Sequence, residues 1–149
     1  MAAFDITVTP TVTSGAYSAG DIVGALMTFN TGIGFNRRLI INEISVMVKA
    51  AVTSSLNAVL FNADPTNTTK TDNAAYSLNA ADAFKVRKTV PVTTLYDHGT
   101  PNEYSSGAVN IVMAPVADTG SFYLLLIDGT GWTLTSTSDI QVRVTGISG

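Results

Sequence analysis

The chain of 149 residues has no cysteine and a single histidine, His98. Without thiols there is no disulfide framework, no thiolate metal site and no thiol nucleophile. One imidazole excludes any site that needs two. Charge is also scarce: Asp, Glu, Lys and Arg make up 13% of the chain, about half the usual ~25%. The net charge is −3, and the eight Lys and Arg are scattered apart from Arg37-Arg38 and Arg87-Lys88. No electrostatic footprint for nucleic acid is present. Long apolar runs are missing too. The longest, Phe122 to Ile127, has six residues, reaching about 20 Å as a strand and about 9 Å as a helix, short of a bilayer. The first residues carry no basic region and no apolar stretch of signal length, so cytoplasmic synthesis without export or membrane insertion is expected.

What remains is a chain suited to sheets. Glu occurs only at Glu43 and Glu103 and Lys four times, whereas Thr and Val abound. Strong helix formers for solvent faces are few, and β-branched residues fit a pleated, half-buried surface. Period-2 alternation is plain in Phe4-Ile6-Val8, in Ile44-Val46-Val48 (with Met47 an apolar exception on the wet face) and in Ile140-Val142-Val144. Ile22 to Phe29, Leu56 to Phe61, Val109 to Met113 and Phe122 to Ile127 are apolar on both faces. The second face of such strands needs a cover, supplied by a loop, a neighbouring subunit or a larger surface.

Turn residues at Ser14-Gly15, Ala19-Gly20-Asp21, Thr31-Gly32-Ile33-Gly34, Asp64-Pro65, His98-Gly99-Thr100-Pro101, Ser106-Gly107 and Asp128-Gly129-Thr130-Gly131 punctuate these runs. The pattern predicts seven or eight strands, near 4–9, 22–29, 38–49, 55–61, 86–92, 109–114, 121–128 and 139–147. One short helical turn is expected from Asn79 to Phe84, with Asn79 as N-cap. An all-β, antiparallel β-sandwich of jelly-roll type follows, as a single domain over 1–149. Two polar stretches, Asn62 to Asn79 and Asp97 to Ser106, read as long loops.

Chemistry-bearing residues are sparse, and each has a structural alternative. Asp64, Asp72 and Asp82 could converge on a cation such as calcium, but no Asp-x-Asp-x-Asp-Gly loop exists, and such side chains commonly cap turns. Asp97-His98 lacks any marked nucleophile. Gly129-Thr130-Gly131 has neither the lysine nor the following helix of a phosphate loop. Trp132 with Tyr96, Tyr104 and Tyr123 could stack on sugars, line a protein interface or lie in the core. The basic pair Arg37-Arg38 could meet an acidic neighbour. No catalytic residue, cofactor site or metal site is assigned; the interface candidates are Arg37, Arg38, Tyr76, Tyr96 and Trp132.

Residues 13–24, Thr-Ser-Gly-Ala-Tyr-Ser-Ala-Gly-Asp-Ile-Val-Gly, followed by Leu26-Met27-Thr28-Phe29, resemble the opening of a group of small tailed-bacteriophage virion proteins. The stretch Val59 to Thr66, with Thr71-Asp72-Asn73-Ala74-Ala75-Tyr76 and Ala80-Ala81-Asp82, resembles a second segment of the same group. The likeness spans roughly positions 13–92; beyond it only the Tyr-Leu-Leu-Leu strand and the Ile-Gln-Val-Arg-Val ending match. It implies a non-enzymatic structural protein of the capsid decoration or cement type. Such a protein sits on the outer surface of the virion, as a homotrimer docked on the major capsid protein and bridging capsomers. The alternative is a tail, neck or head-fibre component with a carbohydrate-binding β-sandwich for host attachment.

Overall fold

Alternation along each strand sorts the side chains into two apolar layers. A computed structural model describes residues 2–32, 37–116 and 120–148; Ile33 and Gly34 of the Thr31–Gly34 turn lie outside that range. Among the described residues, twelve strands and one 3₁₀ helix follow in order: β1 (Ala2–Val8), β2 (Ala16–Tyr17), β3 (Ile22–Asn30), β4 (Leu39–Val48), β5 (Leu56–Phe61), the helix Ala80–Lys85, β6 (Val86–Val92), β7 (Thr94–Asp97), β8 (Asn102–Ser105), β9 (Ile111–Met113), β10 (Ser121–Asp128), β11 (Trp132–Thr133) and β12 (Ile140–Ser148). The architecture is an antiparallel all-β sandwich. One sheet runs β1-β12-β4-β8-β7, with β9 also paired to β4; the other runs β3-β10-β5-β6. The pairs β1·β12, β3·β10 and β5·β6 nest inside one another, with β4 paired to β8 and β9, like a long hairpin wound across two sheets.

All eight expected strands are present, and Asn79 caps the helical turn by accepting from the Ala81 N–H at 2.9 Å. The expected count of seven or eight is nevertheless too low. Two of the extra strands, β2 and β11, are two-residue pieces that pair with each other. The other two, β7 and β8, form a hairpin: β8 lies inside the Asp97 to Ser106 stretch expected to be a loop, and β7 runs up to it. The expected turn from His98 to Pro101 is closed by a His98 N–H to Pro101 O bond of 3.0 Å. Asn102 and Tyr104 point inward there and Glu103 and Ser105 outward. The alternation is real, but polar residues carry it and hide it.

Between the sheets lies the main core. It takes Val23, Met27 and Phe29 from β3, Leu56, Ala58 and Leu60 from β5, and Phe122, Leu124 and Leu126 from β10. Phe29 and Phe122 stack at 5.1 Å. The alternate residues of the same strands, Ile22, Val59, Phe61, Leu125 and Ile127, form a second cluster on the outer face of the four-stranded sheet. Its cover comes from the chain itself, not from a symmetric neighbour as the two-faced apolar strands allowed. The segment between β5 and the helix folds back, with Tyr76 packed on the cluster. Backbone bonds from Ile22 N to Ala74 O (2.8 Å), Asn73 N to Ile22 O (2.7 Å) and Tyr76 N to Gly20 O (2.9 Å) hold it there.

β3 reaches this arrangement through a bulge. Met27 opposes Leu124 and Val23 opposes Leu126, so residues 24–26 face Leu125 alone. Gly24 takes φ +71°, and a Cβ there would stand 2.6 Å from the Pro10 side chain. Both demands require glycine. Gly24→Ala is therefore expected to destabilise the fold by about 2–3 kcal/mol, left-handed strain plus overpacking. Urea unfolding checks this; an unchanged midpoint would contradict the bulge geometry.

Candidate functional site

The three carboxylates that could have shared a cation go to separate places. Asp64 pairs with Lys70 at 2.9 Å. Asp72 accepts from the Thr13 hydroxyl at 2.6 Å, the Tyr17 hydroxyl at 2.8 Å and the Gly24 N–H at 2.6 Å. Asp82, fully buried, accepts from the Asn67 N–H at 2.9 Å, the Thr68 hydroxyl at 2.8 Å and the Lys85 ammonium at 2.7 Å. Among the described residues no group of three His, Cys, Asp or Glu converges to hold a metal.

Asp72 joins the two segments that carry the phage resemblance. Thr13, Tyr17 and Gly24 belong to the first and Asp72 to the second. The Tyr17 hydroxyl also accepts from the Thr13 N–H at 2.7 Å. Burial, reinforced by the Asp72 carboxylate, pushes the Tyr17 phenol well above its ordinary range. The residues of the likeness thus hold one another in place.

The other chemical candidates resolve into turns. Asp97 accepts from the Gly99 N–H at 2.7 Å, and His98 Nε2 lies 3.2 Å from Glu103 Oε2, so both side chains serve the hairpin turn. Asp128 Oδ1 accepts from the Thr130 and Gly131 N–H groups at 3.1 and 2.9 Å, which closes the expected turn after β10. Two shallow grooves share Met47 and Gln141 on the outer face of the larger sheet, with volumes of about 190 and 130 Å³. Small-molecule sites usually measure roughly 300–1,000 Å³, so neither groove encloses a ligand of that kind.

The five interface candidates do not form one site. Trp132 is a correction: it is 6% exposed and meets Tyr104 edge-on at 6.4 Å, so its ring belongs to the core. Tyr104 is likewise buried and Tyr123 packs on the second cluster, which leaves the proposed sugar platform only Tyr96. Tyr76 is half-buried over that cluster, and burial raises its phenol above the ordinary value. Tyr96 is 68% exposed on edge strand β7. Arg37 and Arg38 are exposed just before β4. Tyr96 sits across β8 from Met47, at the far end of β4, a separation of roughly 27 Å along the strand.

Among the described residues, the most exposed large apolar side chain is one that sequence reasoning did not single out. Phe84, on the 3₁₀ helix, is 92% exposed, with Leu78 nearby in the chain at 37%. The available signal was a lone phenylalanine in an Ala/Asp/Lys turn, with no apolar side chain larger than alanine three residues to its N-terminal side. Asp82 orients the turn that displays it. Burial works to raise the Asp82 carboxyl, but the Lys85, Thr68 and Asn67 donors outweigh it and hold the group well below the ordinary carboxylate range.

Two predictions follow from these clamps. Asp72→Ala leaves three donors without their acceptor and should cost about 2–4 kcal/mol. In a double-mutant cycle with Tyr17→Phe, a coupling of about 1 kcal/mol is expected, and an additive result would dissolve the clamp. The second concerns pH. Asp82 is joined by Asp139, where burial is outweighed by donors from Thr135 and Ser136, and by Asp5, held by the Arg143 guanidinium; all three carboxyls lie below their ordinary range. Unfolded carboxyls near ~3.9 then bind more protons than the native ones, so stability present above that range is lost as pH falls through it. The urea midpoint should drop between about pH 6 and about pH 3, and the deficit of Asp82→Asn should shrink at the lower value.

No protein-family model matches the chain, and a search of curated proteins finds no match.

Proposed function

We propose that the chain is a non-enzymatic structural protein of a tailed-phage virion, a decoration or cement protein on the outer surface of the capsid. It binds the major capsid protein, bridges capsomers and acts as a homotrimer. The observation that carries this reading is the meeting of the two resembling segments at Asp72. A likeness built from residues that hold each other is a likeness of architecture, and it extends to the Gly24 bulge that the architecture needs. We read the nested strand order as a jelly roll.

The physics of the role agrees with the surface. A protein that reinforces a shell works through many copies, so each contact can be modest. Thr, Ser and Asn loops order at lower side-chain entropy than Lys- and Glu-rich loops. A three-fold ring closes heterologous contacts without leaving open ends.

Mass spectrometry of purified particles tests the reading. On the order of hundreds of copies per particle are expected, as repeated capsid symmetry demands. About a dozen copies would move the chain to the neck or tail, and absence from the particle would end the virion reading.

A further inference from the structure

Phe84 stands in solvent on a turn that is anything but loose. The Asn79 side chain caps its start, and the Asp82 N–H returns to Asn79 O at 2.9 Å. Beneath it, buried Asp82 gathers Asn67, Thr68 and Lys85, and the Lys85 ammonium also donates to Asp64 O at 2.9 Å. At its end, the Val86 N–H bonds Ala83 O, and Arg87 Nη1 donates to Phe84 O at 3.0 Å. A buried polar network thus fixes the backbone on both sides of an aromatic ring that touches almost nothing. Such a ring contributes little to its own fold. Held in advance, it loses little freedom on entering a pocket, the property of an interface anchor.

Its surroundings indicate what it enters. Arg87 and Lys88 follow it on β6, both exposed, and no carboxylate among the described residues pairs with either. The nearby acids are spent: Asp82 on Lys85, and Asp64 on Lys70. In a chain of net charge −3, this corner is locally positive. One aromatic ring with two cations is too small a device for stable membrane anchoring, where even a whole acyl chain needs a second signal. It fits a protein pocket.

We infer that Phe84 is the docking anchor of this protein, inserting into an apolar socket rimmed by carboxylates on a protein partner, with Arg87 and Lys88 as the charged rim. The inference rests on the virion reading, which makes that partner the capsid shell. Aromatic anchors in desolvated pockets dominate interface energy, while rim charges mainly set association rate and salt dependence.

The test is co-sedimentation of the purified chain with particles from a phage lacking its gene. Phe84→Ser should bind about thirtyfold more weakly than the wild type, with an unchanged melting temperature, and Phe84→Leu should recover part of the loss. Arg87→Glu with Lys88→Glu should slow binding and weaken its salt dependence. If Phe84→Ser binds like the wild type, the anchor is overturned and the virion reading stands. If the wild type itself fails to bind, the virion reading falls and takes this partner with it. Sedimentation of the free chain and flotation with vesicles of anionic phospholipid complete the test. A Phe84-dependent change of oligomer mass, or Phe84-dependent vesicle binding, would overturn a socket on the shell.

Discussion

A single carboxylate, Asp72, decides whether the four-stranded sheet can exist as built. Its strands are apolar on both faces, and the outer face carries Ile22, Val59, Phe61, Leu125 and Ile127. Each such side chain gains about 1.5–3 kcal/mol from leaving water, so an uncovered face would be a liability. The cover is the polar segment between β5 and the helix, which has little apolar surface of its own with which to adhere. Its attachment is therefore polar: three donors from residues 13–24 converge on Asp72, flanked by backbone bonds to Gly20 and Ile22. The Gly24 N–H that Asp72 takes is displayed by the β3 bulge, and the bulge requires the glycine that lets Pro10 approach. Clamp, bulge and second cluster form one cooperative unit.

The same segment performs a second task at its far end. Asp72 seats it on the sheet, and Asp82 shapes its last residues into the turn that carries Phe84. The two carboxylates differ in setting. Asp72 is half-buried and bonds to distant parts of the chain, whereas Asp82 is fully buried and serves residues within fifteen positions. Both replace side-chain bulk with hydrogen bonds, which suits a chain poor in long charged residues.

How far this was legible from the sequence depends on the kind of force involved. Three of the eight main strands follow from alternation, because burial on one face leaves a period of two whatever the partner strand, and four more from short runs apolar on both faces. Asn79 as a cap was equally readable, since the capping interaction spans only two residues. The β7–β8 hairpin was legible only at its turn, His98 to Pro101. Its inward positions are held by Asn102 and Tyr104, whose polar atoms bond Val52 O at 3.0 and 2.8 Å, a partner fifty residues away. Trp132 failed as an interface residue for a related reason: nothing local distinguishes an exposed indole from one packed against Tyr104. Asp72 is the sharpest case. Its neighbours suggested a turn cap, and its three partners lie 48 to 59 positions earlier.

Phe84 stands apart from this economy. The chain uses buried carboxylates, caps and a folded-back segment to remove apolar surface from water, yet Phe84 is 92% exposed on a turn braced by the buried Asp82. Were the ring merely tolerated, the turn beneath it would need no bracing, because exposed loops with few contacts ordinarily open at little cost. Were it a core residue out of place, Leu78 and Val86 offer apolar surface in the adjoining chain. Bracing without burial is what an anchor needs, since rigidity lowers the entropy lost on docking and exposure leaves the full apolar area to be gained. On the proposed shell, where many identical copies dock at once, an anchor of one ring per copy is sufficient, because linked sites multiply modest affinities.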